Sequence, residues 1–167
     1  MNISLPKLIL FALVGVFVAQ LAFYFPNLPA QIATHFDELG RPSEIMPKRL
    51  FMTFEAALLL LILTETTLIP VIVERLPSRF VNIPNRGYWL AEERRAETFA
   101  AIRRAFDSLG VVLVTFFIVI NQIVFRANIM RENLSALVFF AFFGVFLIVM
   151  IGWMYLLIRR FRVVKPL

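Results

Sequence analysis

Four long apolar runs organise the chain, separated by stretches rich in proline, glycine and charge: Leu8 to Phe25, Leu50 to Val73, Leu109 to Phe125 and Leu134 to Ile158. Three contain no charged residue, and the second carries only Glu55 and Glu65. Crossing the hydrocarbon of a bilayer takes about 20 residues, in a usual range of roughly 17 to 25. Each run therefore predicts a membrane-spanning helix, the first and third short enough to need thinning of the bilayer or snorkelling at their ends. The first is expected to be a span and not a cleaved leader. Its apolar stretch exceeds a signal-peptide core, and Pro26-Asn27-Leu28-Pro29 supplies no small-x-small cleavage site. The predicted fold is an all-α membrane protein: one domain, residues 1–167, of four transmembrane helices with an amphipathic cytoplasmic helix before the third.

The cations orient these spans. With both termini inside, segments 1–7, 74–108 and 159–167 hold twelve Lys or Arg, against five in the outside segments 26–49 and 126–133. Positive charge collects on the cytoplasmic side of membrane proteins, so the chain is expected in a bacterial inner membrane with both ends cytoplasmic. Composition agrees: 60% of residues are hydrophobic, 19 are Phe, and the mean hydropathy is +0.83. A small soluble fold could not hide that much apolar surface. The pI near 10.5 comes from arginines flanking apolar runs, which marks topology and not nucleic-acid binding. Cysteine is absent, which excludes disulfides, thiolate metal sites and thiol nucleophiles.

The polar positions inside the runs carry the next level of expectation. In helix 1, Ala12, Gly15, Ala19 and Ala22 line one face and invite the close approach of another helix. In helix 2, Glu55 and Glu65 lie about 80° apart around the axis, so both can face a bundle interior. Pro70 removes a donor and frees a carbonyl near Thr66, predicting a kink or a local water. Helix 3 carries a polar stripe of Ser108, Thr115, Gln122 and Arg126, with Asn121 adjacent. Gln122 and Arg126 match Glu55 in depth, so Glu55 is expected to pair with one of them, or else to carry its proton or snorkel to water. Glu65 is placed to reach Arg104 or Arg159. Before helix 3, Phe99, Ile102, Phe106 and Leu109 recur at helical steps opposite a charged face. A single apolar face favours a helix lying on the headgroups or bent at Gly110, the alternative being one that runs straight on. Trp153 and Tyr155, and also Tyr88-Trp89, read as aromatic anchors at the interface.

Two loop strings resemble a known family. YFPNLPAQIATHFDELGRPSEIMPK after helix 1 is similar to the signature of a bacterial membrane family catalogued as uncharacterised domain 1648, whose members carry a proline-rich loop, Pro-Thr-His-Phe or His-Trp, then Gly-x-Pro and a lysine. Tyr24, Pro26, Leu28, Pro29, Ile32, Thr34, His35, Phe36, Gly40, Pro42 and Lys48 match; Ala33 stands where proline is usual, and Ser43 to Met46 departs from an Asp-Gly-Trp-like stretch. NIPNRGYWLAEERRAET, Asn82 to Thr98, resembles the family's cytoplasmic segment. The same module opens the Sdp-type immunity proteins, which protect bacteria from a secreted killing peptide and signal through a membrane-tethered repressor. Those proteins continue with further helices, whereas this chain is expected to be the module alone. The resemblance implies an immunity or sensing role and no catalytic residues.

Chemistry in the chain is sparse. It lacks Gly-x-Ser-x-Gly, a Walker loop, His-Glu-x-x-His and a dinucleotide fingerprint, so no enzyme and no cofactor is expected. His35 is the single histidine; with Asp37, Glu38 and Glu44 nearby it structures the loop, contacts a ligand or, least favoured, joins a metal site. Three roles follow: a receptor or immunity-like protein binding a peptide or small molecule through Thr34, His35, Phe36 and Asp37; an accessory subunit of a larger membrane assembly; and a small ion or proton carrier using Glu55 and Glu65. The lipid bilayer is the one partner common to all three.

Overall fold

The computed structural model describes residues 3–162; of the four tail cations counted above, Lys165 lies outside the described residues. Four helices are long and apolar enough to cross a membrane. Helix α1, Leu5–Tyr24, opens at Ser4, whose extended backbone and hydroxyl, accepting from Lys7 N at 3.4 Å, cap the first turn. A hairpin follows, of strands β1 (Gln31–Phe36) and β2 (Pro42–Pro47). The second span is α2 (Lys48–Leu63), a π turn (Thr64–Leu68) and α3 (Ile69–Arg75). After a short 3₁₀ turn and the one-turn helix α4 (Arg86–Trp89) come the third span α5, Glu92–Met130, and the fourth, α6, Ala136–Arg162.

Helix α5 is the axis of the molecule, packing against α1, the second span and α6. Leu10 and Phe17 of α1, Leu59 and Ile62 of α2 and Val114 of α5 form the central core. Gly110 lies in it against Leu10 and Thr66, where a Cβ would meet the Leu10 side chain at 2.9 Å. It is a point of close approach and not a hinge. In contrast, α6 buries no residue of its apolar window and lies on α5 through aromatic rings, with Phe116 stacked on Phe146 at 4.0 Å between centroids.

Three expectations are corrected here. The fold is not purely α-helical, because residues 31–47 form a hairpin. The segment 91–108 is not a separate surface helix: it is the first part of α5, a 39-residue helix about 58 Å long. Its apolar face is covered by protein, since Phe99 and Ile102 pack with Val81, Trp89, Leu90 and Phe161. Finally, the small residues of α1 seat no helix of this chain. Ala12, Gly15, Ala19 and Ala22 are all exposed, and α1 meets α5 through its large apolar side chains, whose burial yields more contact.

The break in the second span follows from its sequence. Pro70 has no N–H to offer the turn before it, so the backbone there widens into the π turn. Thr64 Oγ1 donates to Leu60 O at 2.8 Å and Thr66 Oγ1 to Ile62 O at 2.7 Å, while Thr67 Oγ1 donates to Leu63 O.

Opposite the hairpin, helix ends are closed by side chains. Arg95 donates to the Glu74 and Leu76 carbonyls at the end of α3 and to Ser78 Oγ. Asn85, in the left-handed region at φ 51°, donates to the Phe161 and Arg162 carbonyls, and the Trp89 indole donates to Phe161 O at 2.8 Å. These bonds satisfy the last carbonyls of α3 and α6, which have no partner inside their own helices. Trp89 is thus buried in protein instead of anchoring at headgroups, and Trp153 is tied to α5 by donating to Ala105 O.

Candidate functional site

The candidate site is the hairpin and the helix ends beneath it. In strand β1, Ile32 is fully buried under Leu28, Phe51 and Phe125 and Ala33 beside it is buried too, and the burial of Ile32 sets the face the hairpin turns to the bundle. Its tip is a turn built by Asp37, whose Oδ1 accepts from Leu39 N and Arg41 N at 2.9 and 2.8 Å. Gly40 has φ +73° and its carbonyl accepts from Leu134 N at 2.8 Å. Only glycine fits, because a Cβ would overlap the Leu134 carbonyl.

Asn128 of α5 holds the flank. Its Oδ1 accepts from Ala33 N at 2.7 Å while its Nδ2 donates to Ala33 O at 3.0 Å, so the amide occupies the outer edge of β1 as a neighbouring strand would. Lys48 Nζ closes the base by donating to the Phe25 and Leu28 carbonyls. The hairpin is therefore bonded at its tip, its flank and its base.

Ala33 pairs with Ile45 across the hairpin. Since the backbone groups of Ala33 point outward to Asn128, this is a non-hydrogen-bonded pair, and the N–H and C=O of Ile45 point outward from the other edge. Among the described residues no backbone group bonds that outer edge of β2. Pro42 and Pro47 bracket it, and Ile45 is exposed. A cleft of about 300 Å³ lies between this hairpin face and the end of α5, lined by Gln31, Phe36, Ile45, Asn128, Arg131 and Glu132 among others. A second, of about 340 Å³, flanks the same α5–α6 loop and includes Gln122, Arg126 and Ser135.

The sequence candidates separate in space. Phe36 lines the first cleft. His35 faces solvent on the hairpin, its Nδ1 3.0 Å from Glu44 Oε2 and 3.3 Å from Thr34 Oγ1. Asp37 is committed to the turn. No group of three or more His, Cys, Asp or Glu able to hold a metal occurs among the described residues.

Within the spans, Glu55 pairs with neither Arg126 nor Gln122. Its Oε2 accepts from Asn121 Nδ2 at 2.8 Å, with the two side chains only 5% and 2% exposed. One residue is 100° of helix, which turns Asn121 into the core and the stripe of Thr115, Gln122 and Arg126 outward, where all three are exposed. Gln122 instead bonds α1, donating to Tyr24 Oη at 2.7 Å and accepting from Gln20 Nε2 at 3.3 Å. Arg126 has no carboxylate within ion-pair distance among the described residues, and neither does Glu65 reach Arg104 or Arg159. Glu65 is exposed on the π turn, so it and Glu55 face different surroundings.

Sequence reasoning passed over Asn128, Arg131 and Glu132. Asn128 lies one helical step beyond Val124 in the segment 126–133 read as a loop, so no pattern singled it out. Fold and cap together define a multi-pass membrane protein with a β-hairpin clamped across one end of its helices. No protein-family model, no curated protein and no solved structure matches the chain, and the resemblance drawn above rests on its two loop strings.

Proposed function

We propose that this protein is a membrane receptor of the immunity-like kind, binding an extended peptide at the hairpin, which faces outward from a bacterial inner membrane with both chain ends cytoplasmic. The orientation rests on the distribution of cations in the sequence. One observation carries the binding mode: the hairpin is bonded on every side except the outer edge of β2, where Ile45 presents both backbone groups. An unpaired edge is a template for a further strand, and strand addition gives affinity through the main chain and selectivity through side-chain clefts. The adjoining cleft at Phe36, Ile45 and Arg131 receives side chains of the added strand, and Pro42 and Pro47 limit pairing to the residues between them.

The test exploits proline. Ile45→Pro removes the outward N–H without touching a bond to β1. With a photocrosslinker at Leu39 on the exposed tip, membranes carrying the wild-type chain capture a discrete peptide species, identified by mass spectrometry. In Ile45→Pro that adduct is lost at unchanged membrane abundance. Identical adducts in both forms remove the binding mode.

An accessory-subunit role is supported by a separate observation: the small-residue stripe of α1 and the unpaired Glu65 both lie on outward faces of the spans. Crosslinks to a stoichiometric membrane protein in place of a peptide would favour it. Ion carriage rests on Glu65 alone once Glu55 is committed to Asn121, and liposome flux unchanged by Glu65→Gln removes it.

A further inference from the structure

At the end opposite the hairpin, α1, the second span and α5 enclose a cavity of about 480 Å³ whose lining includes Ser4, Lys7, Thr66, Arg103, Arg104 and Asp107. It sits where charge gives way to the uncharged runs that begin at Leu8 and Leu109, the depth at which a spanning protein meets headgroups. Asp107 is buried, and its bond among the described residues is from Ser4 Oγ to Oδ2 at 2.9 Å. A carboxylate offers about four acceptor positions, so most of its capacity is unused. Of the cations, Arg103 is held by Glu74, while Lys7 and Arg104 have no carboxylate partner among the described residues. The hydroxyls of Thr66 and Thr67 are already donated to their own helix.

These charges select against simple ions. An anion drawn to Lys7 and Arg104 meets Asp107, and a cation drawn to Asp107 meets the two bases. A molecule carrying both signs a few bonds apart satisfies all three. We propose that the cavity binds the headgroup of an aminophospholipid of the ethanolamine type, with its phosphate toward Lys7 and Arg104 and its primary ammonium on Asp107. A primary ammonium has hydrogens to donate to the carboxylate. A quaternary one has none and is recognised by aromatic faces, and no aromatic residue lines this cavity among the described residues.

The experiment uses the full chain, stripped of lipid in detergent and titrated by native mass spectrometry. The probes are phosphatidylethanolamine, phosphatidylcholine and phosphatidylglycerol of identical acyl chains, and free phosphoethanolamine. The ethanolamine lipid is expected to bind about tenfold more tightly than either other lipid, as one charge-assisted bond would give. Asp107→Asn erases that preference. Arg104→Gln, an exposed position, weakens ethanolamine-lipid binding at an unchanged melting temperature. Equal affinity for the three lipids, a preference that survives Asp107→Asn, or affinity unmoved by Arg104→Gln overturns the proposal. Free phosphoethanolamine binding as tightly as the lipid overturns its membrane source.

Discussion

The two ends of this bundle are closed by different balances of directed bonds and apolar burial. At the hairpin end the connector is held by directed bonds: Asn128 to both backbone groups of Ala33, Gly40 to Leu134, and Lys48 to two carbonyls. At the arginine-rich end the connector folds by burying Val81, Trp89 and Leu90 against Phe99 and Phe161, with Arg95 and Asn85 capping helix ends. Hydrogen bonds fix register, whereas apolar burial is non-directional and fixes mainly proximity. The hairpin end therefore presents one defined backbone edge. The opposite end leaves beside its packed cluster a cavity where Lys7 and Arg104 have no carboxylate partner among the described residues. The proposed peptide-binding edge calls for the first arrangement, and the proposed headgroup cavity tolerates the second.

Substitutions sharpen this contrast, from the largest effect to the smallest. Gly40→Ala forces a Cβ both into the left-handed region and against the Leu134 carbonyl. A cost of about 1–3 kcal/mol is expected from the backbone conformation alone, before the overlap is counted. The tip should undock, read as new protease sensitivity between residues 37 and 42 with the spans intact; an unaltered cleavage pattern would show that the tip is not held at Gly40. Asn128→Leu keeps the side-chain bulk but orphans the Ala33 N–H and C=O, at roughly 1–3 kcal/mol for each group kept from water. Hydrogen exchange at Ala33 should accelerate while amides of the α1–α5 core do not change. Were the hairpin to keep its protection, apolar contact at Ile32 would be sufficient and the contrast between the ends would fall. Trp89→Phe removes the indole bond to Phe161 O and keeps a ring in the cluster. Only about 1 kcal/mol is at stake, so thermal stability in detergent should fall slightly; a large loss would mean that this end too depends on directed bonds.

Stability effects of this kind also separate folding from binding at the hairpin. The His35–Glu44 contact is exposed on both sides, and exposed pairs contribute little to stability. Loss of ligand capture in a His35 variant would therefore report contact with the ligand.

Much of the fold follows from one-dimensional pattern. Runs of apolar residues, three of the four uncharged, define the four spans because a bilayer demands about 20 such residues whatever their partners. The disturbance at Thr64–Leu68 was legible from Pro70 because a missing N–H acts locally. The hairpin around His35 was not legible: Asp37 reads as a ligand contact, and neither Gln31–Phe36 nor Pro42–Pro47 alternates apolar with polar residues. Partner choice was beyond reach. Depth along the helices brought Glu55 level with Gln122 and Arg126, yet that Asn121 turns inward in their place depends on the rotation of α5, set by Leu10, Phe17 and Val114 packing together. The amphipathic stretch before residue 109 has one apolar face, a property equally satisfied by lipid or by protein. That Val81, Trp89 and Phe161 cover it, making α5 one helix, was decided only when distant parts of the chain met, because burial depends on what else occupies the space.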